Sequence, residues 1–233
     1  MMYYEYVKNI TILNDKIKSK DNLEKKTESV FKRVAESFNL SSLPNISISF
    51  HTSRLSFDKS LGRKTQVWEV GNTSRDNKID IIHPDFFAKV SSHADSEFDQ
   101  ILAHEIAHIF INRLASGKQV PFWLNEGLAM NIANQVDRYK TGSDSMFIEE
   151  KFTSHLATKQ DWNERVDFGA YKIACLFTAF LIEKFTLNKI MELIAKIEKN
   201  YYAPHFEESV IQIFGSSISD LENNFVLWSN KIS

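Results

Sequence analysis

The run His104-Glu105-Ile106-Ala107-His108 constrains this chain more than any other feature of it. A spacing of four places the two imidazoles one helical turn apart on one face, close enough to bind a single ion, and sends Glu105 from the adjoining side toward a water held there. The segment must therefore be a helix. Ser96 stands as its N-cap with Asp99 as a short capping-box partner, and Gly117 lies just past its end. Ile101, Ile111 and Ala115 flank the ligand face, while Leu102, Ile106, Ile109 and Phe110 make a second apolar face, so the helix is expected to be buried. Buried His and Glu need partners, and a metal ion supplies them. The plain alternative is an accidental match, expected in roughly one or two chains per hundred. The caps and the apolar setting weigh against it.

The remainder of the chain reads as a packed globular protein. Its 233 residues are 43% apolar and 12% aromatic with only 7 Gly and 4 Pro, which excludes a fibrous or low-complexity chain. Twenty-eight Lys and Arg stand against 30 Asp and Glu, and no stretch concentrates enough basic charge to track a phosphate backbone, so no nucleic-acid partner is expected. The longest apolar run, Ile173 to Ile182, is broken by Thr178 and is too short to span a bilayer. Met1 to Ile10 carries Glu5 and Lys8 among tyrosines and has no apolar run of signal-peptide length. Cys175 has no second cysteine to pair with. The expectation is a soluble, cytoplasmic protein.

The hydrophobic pattern changes period along the chain. Tyr3 to Leu13 reads as a strand and Asp21 to Phe38 as an amphipathic helix. Strands follow at Ile46 to Phe50, Gln66 to Val70 (closed by Gly71-Asn72) and Lys78 to His83, with Ser53 to Lys64 as a polar loop. From Ser96 onward the period is helical: Pro121 to about Gln135, Phe168 to Phe185, Asn188 to Lys199, Phe206 to Phe214, and Ser219 to Ser229 with a capping signature. The expected fold is α+β. A lobe with a small mixed sheet and the active helix covers 1–117, and a helical lobe covers 118–233.

Two imidazoles alone make a poor metal site, so the third ligand decides the class. A metzincin needs Gly and His after the motif, but those positions are Ile111 and Leu114, which excludes that class. Glu126 lies in Pro121-Phe122-Trp123-Leu124-Asn125-Glu126-Gly127-Leu128-Ala129, at the start of a helix whose other early residues are mostly apolar. A glutamate there is favoured by the helix dipole, and it is also expensive among apolar residues unless paired. Beside the upstream motif it reads as the third ligand.

These residues resemble the gluzincin metallopeptidases, the thermolysin-like peptidase MA group. Tyr171 to Phe185 resembles the family's Tyr-led helix, and Phe206 to Trp228 its closing helical pair around Phe214-Gly215. The similarity covers most of the chain and is loose before Asp76. It implies a zincin-like fold, one Zn2+ per chain held by His104, His108 and Glu126, and Glu105 as general base in the hydrolysis of a peptide or protein substrate. Tyr171 is the candidate oxyanion donor, with a core tyrosine beside Ile173 and Leu176 as the alternative. An antiparallel edge strand beside the active helix is expected to hold extended substrate by strand addition. Gln66 to Val70 is the better candidate, which makes Val67, Trp68, Glu69, Val70 and Gly71 the substrate-binding set. No glycine-led amine-binding signature occurs near it, so internal cleavage is expected.

The chain departs from the family at Met130, where an Asp is expected to orient the first histidine; Asn131 or Asn134 is the substitute. His51, His83, His93, His155 and His205 lack ligand spacing and read as surface or loop residues, and Cys175 as an inert core residue. Two other functions share these ligands: a catalytically silent zinc domain that binds a partner, against which intact Glu105 argues, and a protease dedicated to one protein.

Overall fold

The computed structural model describes residues 9–13, 20–40, 42–74, 76–141, 150–197 and 204–232. The chain is mixed α+β and divides into two compact units, 1–110 and 111–233.

The first unit is built on a four-stranded mixed sheet. Strand β1 (Ile10–Ile12) runs parallel to β2 (Ile46–His51), β2 runs parallel to β4 (Lys78–Ile82), and β3 (Gly71–Thr73) lies antiparallel on the far side of β4. Most of the strand expected at Tyr3 to Leu13 falls on residues outside the described ones. Helix α1 (Lys20–Phe38) buries Val30, Phe31, Val34 and Phe38 on the stripe its periodicity marks. Phe110, on helix α4 (Phe98–Leu114), meets Phe31 edge-on at 5.6 Å and Phe38 at 5.3 Å. At the other end of the helix, Phe98 packs on Phe50 of β2 and on Phe87, each at 6.2 Å. These contacts seat residues 98–110 of α4 within this unit, and Phe98, Leu102, Ile106 and Phe110 are fully buried.

Several local expectations are corrected. The polar stretch after Ser53 contains helix α2 (Arg54–Leu61), capped by the Ser53 hydroxyl and ended by Gly62 in the left-handed region. Only Phe57 of α2 is fully buried, which is why its apolar period is faint. Ahead of α4 the capping carboxylate is Glu97, bonded to the Ala94 N–H at 2.8 Å, while Asp99 pairs with Lys26 at 3.1 Å. His51 and His83 are buried rather than on the surface. His51 can be, because its Nε2 lies 2.8 Å from the Asp80 carboxylate of β4 and its Nδ1 lies 2.9 Å from the Ser56 hydroxyl of α2. His83 Nδ1 accepts the Asp85 N–H at 3.2 Å, and burial pushes its imidazolium below the ordinary range.

The second unit is helical. After helix α5 (Phe122–Ile132) come the short helices α6 (Val136–Thr141), α7 (Phe152–His155) and α8 (Lys159–Arg165); α5 lies against α9 (Ala170–Phe185), with α10 (Leu187–Lys196), α11 (Pro204–Phe214) and α12 (Ile218–Ile232) packed beyond. A Cβ on Gly127 would meet the Thr178 hydroxyl at 2.2 Å and the Ala174 carbonyl at 2.3 Å, so α5 approaches α9 where only glycine fits. Phe152, Phe177, Phe180 and Phe225 form one aromatic cluster. Buried Glu222 beside it accepts both the backbone N–H and the hydroxyl of Thr153, at 2.8 and 2.7 Å. The last helix starts a little before Ser219: Ser217 accepts the Asp220 N–H at 3.1 Å. Among the described residues no helix is long and apolar enough to cross a membrane.

Candidate metal centre

Helix α4 presents the histidine pair as the spacing requires. The Nε2 atoms of His104 and His108 stand 3.0 Å apart, with ring centroids at 4.6 Å and ring planes at 89°. Two nitrogens bound to one tetrahedral zinc at about 2.0–2.1 Å lie roughly 3.4 Å apart, so the pair is close to the separation one ion imposes. Both rings are half-buried, and Glu105 between them is 8% exposed.

Glu105 is held from the sheet. The Thr73 hydroxyl lies 2.7 Å from Glu105 Oε2 and 2.9 Å from the Glu105 backbone oxygen. Gly71, two residues earlier and so on the same face of β3, lies under the carboxylate. A Cβ there would stand 2.7 Å from Oε1 and 2.8 Å from Cγ. No motif of the sequence marks Thr73. A glycine inside a strand marks close approach of another group, and that was the available signal.

The substrate-binding expectation needs correction. Gln66 to Val70 is not a strand, and its carbonyls are already engaged. Arg54 donates to the oxygens of Gln66 (3.1 Å), Val67 (3.0 Å) and Glu69, His93 Nε2 donates to that of Trp68 (2.9 Å), and the Ile82 N–H bonds that of Val70 (2.8 Å). One guanidinium gathers three carbonyls into a turn and so removes the extended conformation. The antiparallel edge is the next segment, β3. Bonds from Ile82 N to Val70 O and from Ser74 N to Lys78 O set the ladder. By antiparallel alternation the N–H and C=O of Gly71 and Thr73 then point away from β4. Of the expected set, Gly71 alone lies on the edge strand.

In the second unit Glu126 sits on the second turn of α5, half-buried between buried Leu124 and Gly127. Tyr171 lies in the first turn of α9, its ring edge-on to Trp162 at 4.8 Å and 89°. The two asparagines act on the backbone. Asn131 Nδ2 donates to the carbonyls of Gly127 (2.7 Å) and Cys175 (3.0 Å), tying α5 to α9, and Asn134 takes a left-handed φ of 58° as α5 ends. Burial pushes the Cys175 thiol up to about 12, as an inert core cysteine requires.

No protein-family model, curated protein or solved structure matches the chain.

Proposed function

We propose that the protein is a zinc-dependent endopeptidase of gluzincin type, with a zincin-like fold, in which His104, His108 and Glu126 hold one zinc ion and Glu105 is the general base. The observation that carries the reading is the 3.0 Å separation of the two Nε2 atoms beside a buried carboxylate. The donor set supports it further. Two imidazoles with one carboxylate suit zinc with a position left open for water.

When bound, the ion supplies Lewis acidity and lowers the pKa of a coordinated water to about 7. The residues of the chain do the rest. Glu105 accepts the proton of the attacking water and passes it to the leaving amine nitrogen. Tyr171 donates its phenolic O–H to the developing oxyanion. The outward N–H and C=O groups of Gly71 and Thr73 pair with the backbone of an extended peptide, which holds it by strand addition without reading its side chains. A reducing, cytoplasmic setting accords with the buried thiol of Cys175.

The test is cleavage of a diverse peptide library by the wild type with and without a chelator, with amino-terminally acetylated and free-amine versions of each hit. Chelator-sensitive cleavage of both versions is expected. Strict dependence on a free amine would defeat the endopeptidase reading, and a zinc-loaded protein that cleaves nothing would make it a binding module.

A further inference from the structure

We infer that Thr73 is a positioning residue for the general base and that Gly71 and Thr73 together form a cradle for its carboxylate, so that one three-residue strand both aims the base and presents the substrate edge. This rests on the peptidase reading above. Glu105 is 8% exposed, and a buried carboxylate is unfavourable unless its oxygens are satisfied. The bond from this sheet to the carboxylate comes from a single hydroxyl, that of Thr73 to Oε2. A glycine opposite Oε1 forgoes the apolar contact that a side chain would make, because the Glu105 side chain occupies the space where its Cβ would stand. Packing alone rewards neither choice.

The geometry accounts for both. Residues 71 and 73 share one face of β3, because strand side chains alternate. On that face Thr73 grips Oε2, and the missing Cβ of Gly71 makes room for Oε1 and Cγ. The Thr73 hydroxyl also lies 2.9 Å from the backbone oxygen of Glu105, so one atom registers the carboxylate against the helix that carries the histidines. Oε2 is thereby assigned to the protein and Oε1 is left for the proton in transit. The outward backbone groups of the same two residues face an incoming strand. The substrate backbone and the base are thus referenced to the same pair of residues, which is the positional control that a reacting geometry demands.

The test compares wild type with Thr73→Val, which keeps the shape and removes the hydroxyl, Thr73→Ser, which restores it, and Gly71→Ala. Metal content, kcat and KM are measured on a peptide the wild type cleaves. The crystal structure of each metal-free variant gives the position of the Glu105 carboxylate independently of turnover. In Thr73→Val, kcat should fall by roughly 10- to 100-fold with KM and zinc content unchanged, and the carboxylate should leave its wild-type position. Thr73→Ser should recover to within about threefold of wild type, with the carboxylate back in place. Gly71→Ala should displace the carboxylate by steric contact and lower kcat likewise. A wild-type kcat in Thr73→Val, or a Thr73→Ser as slow as Thr73→Val, overturns the proposal. If the wild type cleaves no peptide, the peptidase reading falls, and an unmoved carboxylate in metal-free Thr73→Val still overturns the cradle while a displaced one supports it.

Discussion

Gly71 and Gly127 do opposite things with the same missing side chain. In the first unit the space above Gly71 is taken by a polar side chain, the Cγ and carboxylate of Glu105. In the second unit the space above Gly127 is taken by the Ala174 carbonyl and the Thr178 hydroxyl on the neighbouring helix. One glycine therefore serves a movable polar group and the other a fixed backbone. Polar groups around Gly71 are arranged at the expense of packing, whereas α5 and α9 around Gly127 pack as a core, with Leu128, Ala129, Ala174, Cys175 and Phe177 fully buried or nearly so. On the proposed function, catalysis depends on the first arrangement and stability on the second, and variants at both positions test the division.

The largest expected effect is on turnover. Glu105→Gln keeps the size of the side chain and removes the base, so kcat should fall by about 10²–10⁴-fold while zinc content and thermal midpoint hold. Full activity in that variant would take the proposed catalytic role away from Glu105. Next comes stability. Gly127→Ala must move helix backbone and should cost about 1–3 kcal/mol, read from denaturant midpoints. Gly71→Ala displaces a side-chain end and should cost less than Gly127→Ala in the same assay; equal costs would erase the distinction between the two glycines.

A smaller effect is expected on the pH dependence of stability. Burial depresses the folded-state pKa of His83 below its ordinary 6.5, so the unfolded chain takes up a proton that the folded chain refuses. Stability is therefore full above about pH 6.5 and declines as pH falls from there toward the depressed value. His83→Asn keeps an acceptor for the Asp85 N–H and removes the titration. In metal-free protein it should flatten that slope, and an unchanged slope would place the proton uptake elsewhere. Smallest of all is the response of Cys175. Fully buried and pushed up to about 12, it should react with Ellman's reagent only on unfolding, and rapid reaction of the native protein would show that the α9 core opens.

The comparison also shows what a sequence exposes and what it hides. Helices α1 and α9 were legible because their buried residues recur at helical spacing, and the histidine pair because its geometry is local, four residues apart on one helix. Strand β3 was not legible: Gly-Asn-Thr carries little strand signal, and it is extended because β4 pairs with it. The misplaced strand at Gln66 to Val70 has the opposite cause. Its Val and Trp residues suit a strand, but Arg54, twelve or more residues away, bends it by taking its carbonyls. Thr73 lies 32 positions from the carboxylate it holds, and no local pattern links them. His51 reads as a surface or loop residue for the same reason, since Asp80 satisfies it from another strand.

The central claim is that the two imidazoles of α4 share one ion. Zinc-edge X-ray absorption and elemental analysis of the purified full chain test it directly. One zinc per chain is expected, with two imidazole nitrogens at about 2.0–2.1 Å, the remaining ligands oxygen and none sulfur, and the metal lost in His108→Ala. A wild-type chain that takes up no zinc, or a His108→Ala protein with unchanged zinc content, would contradict it.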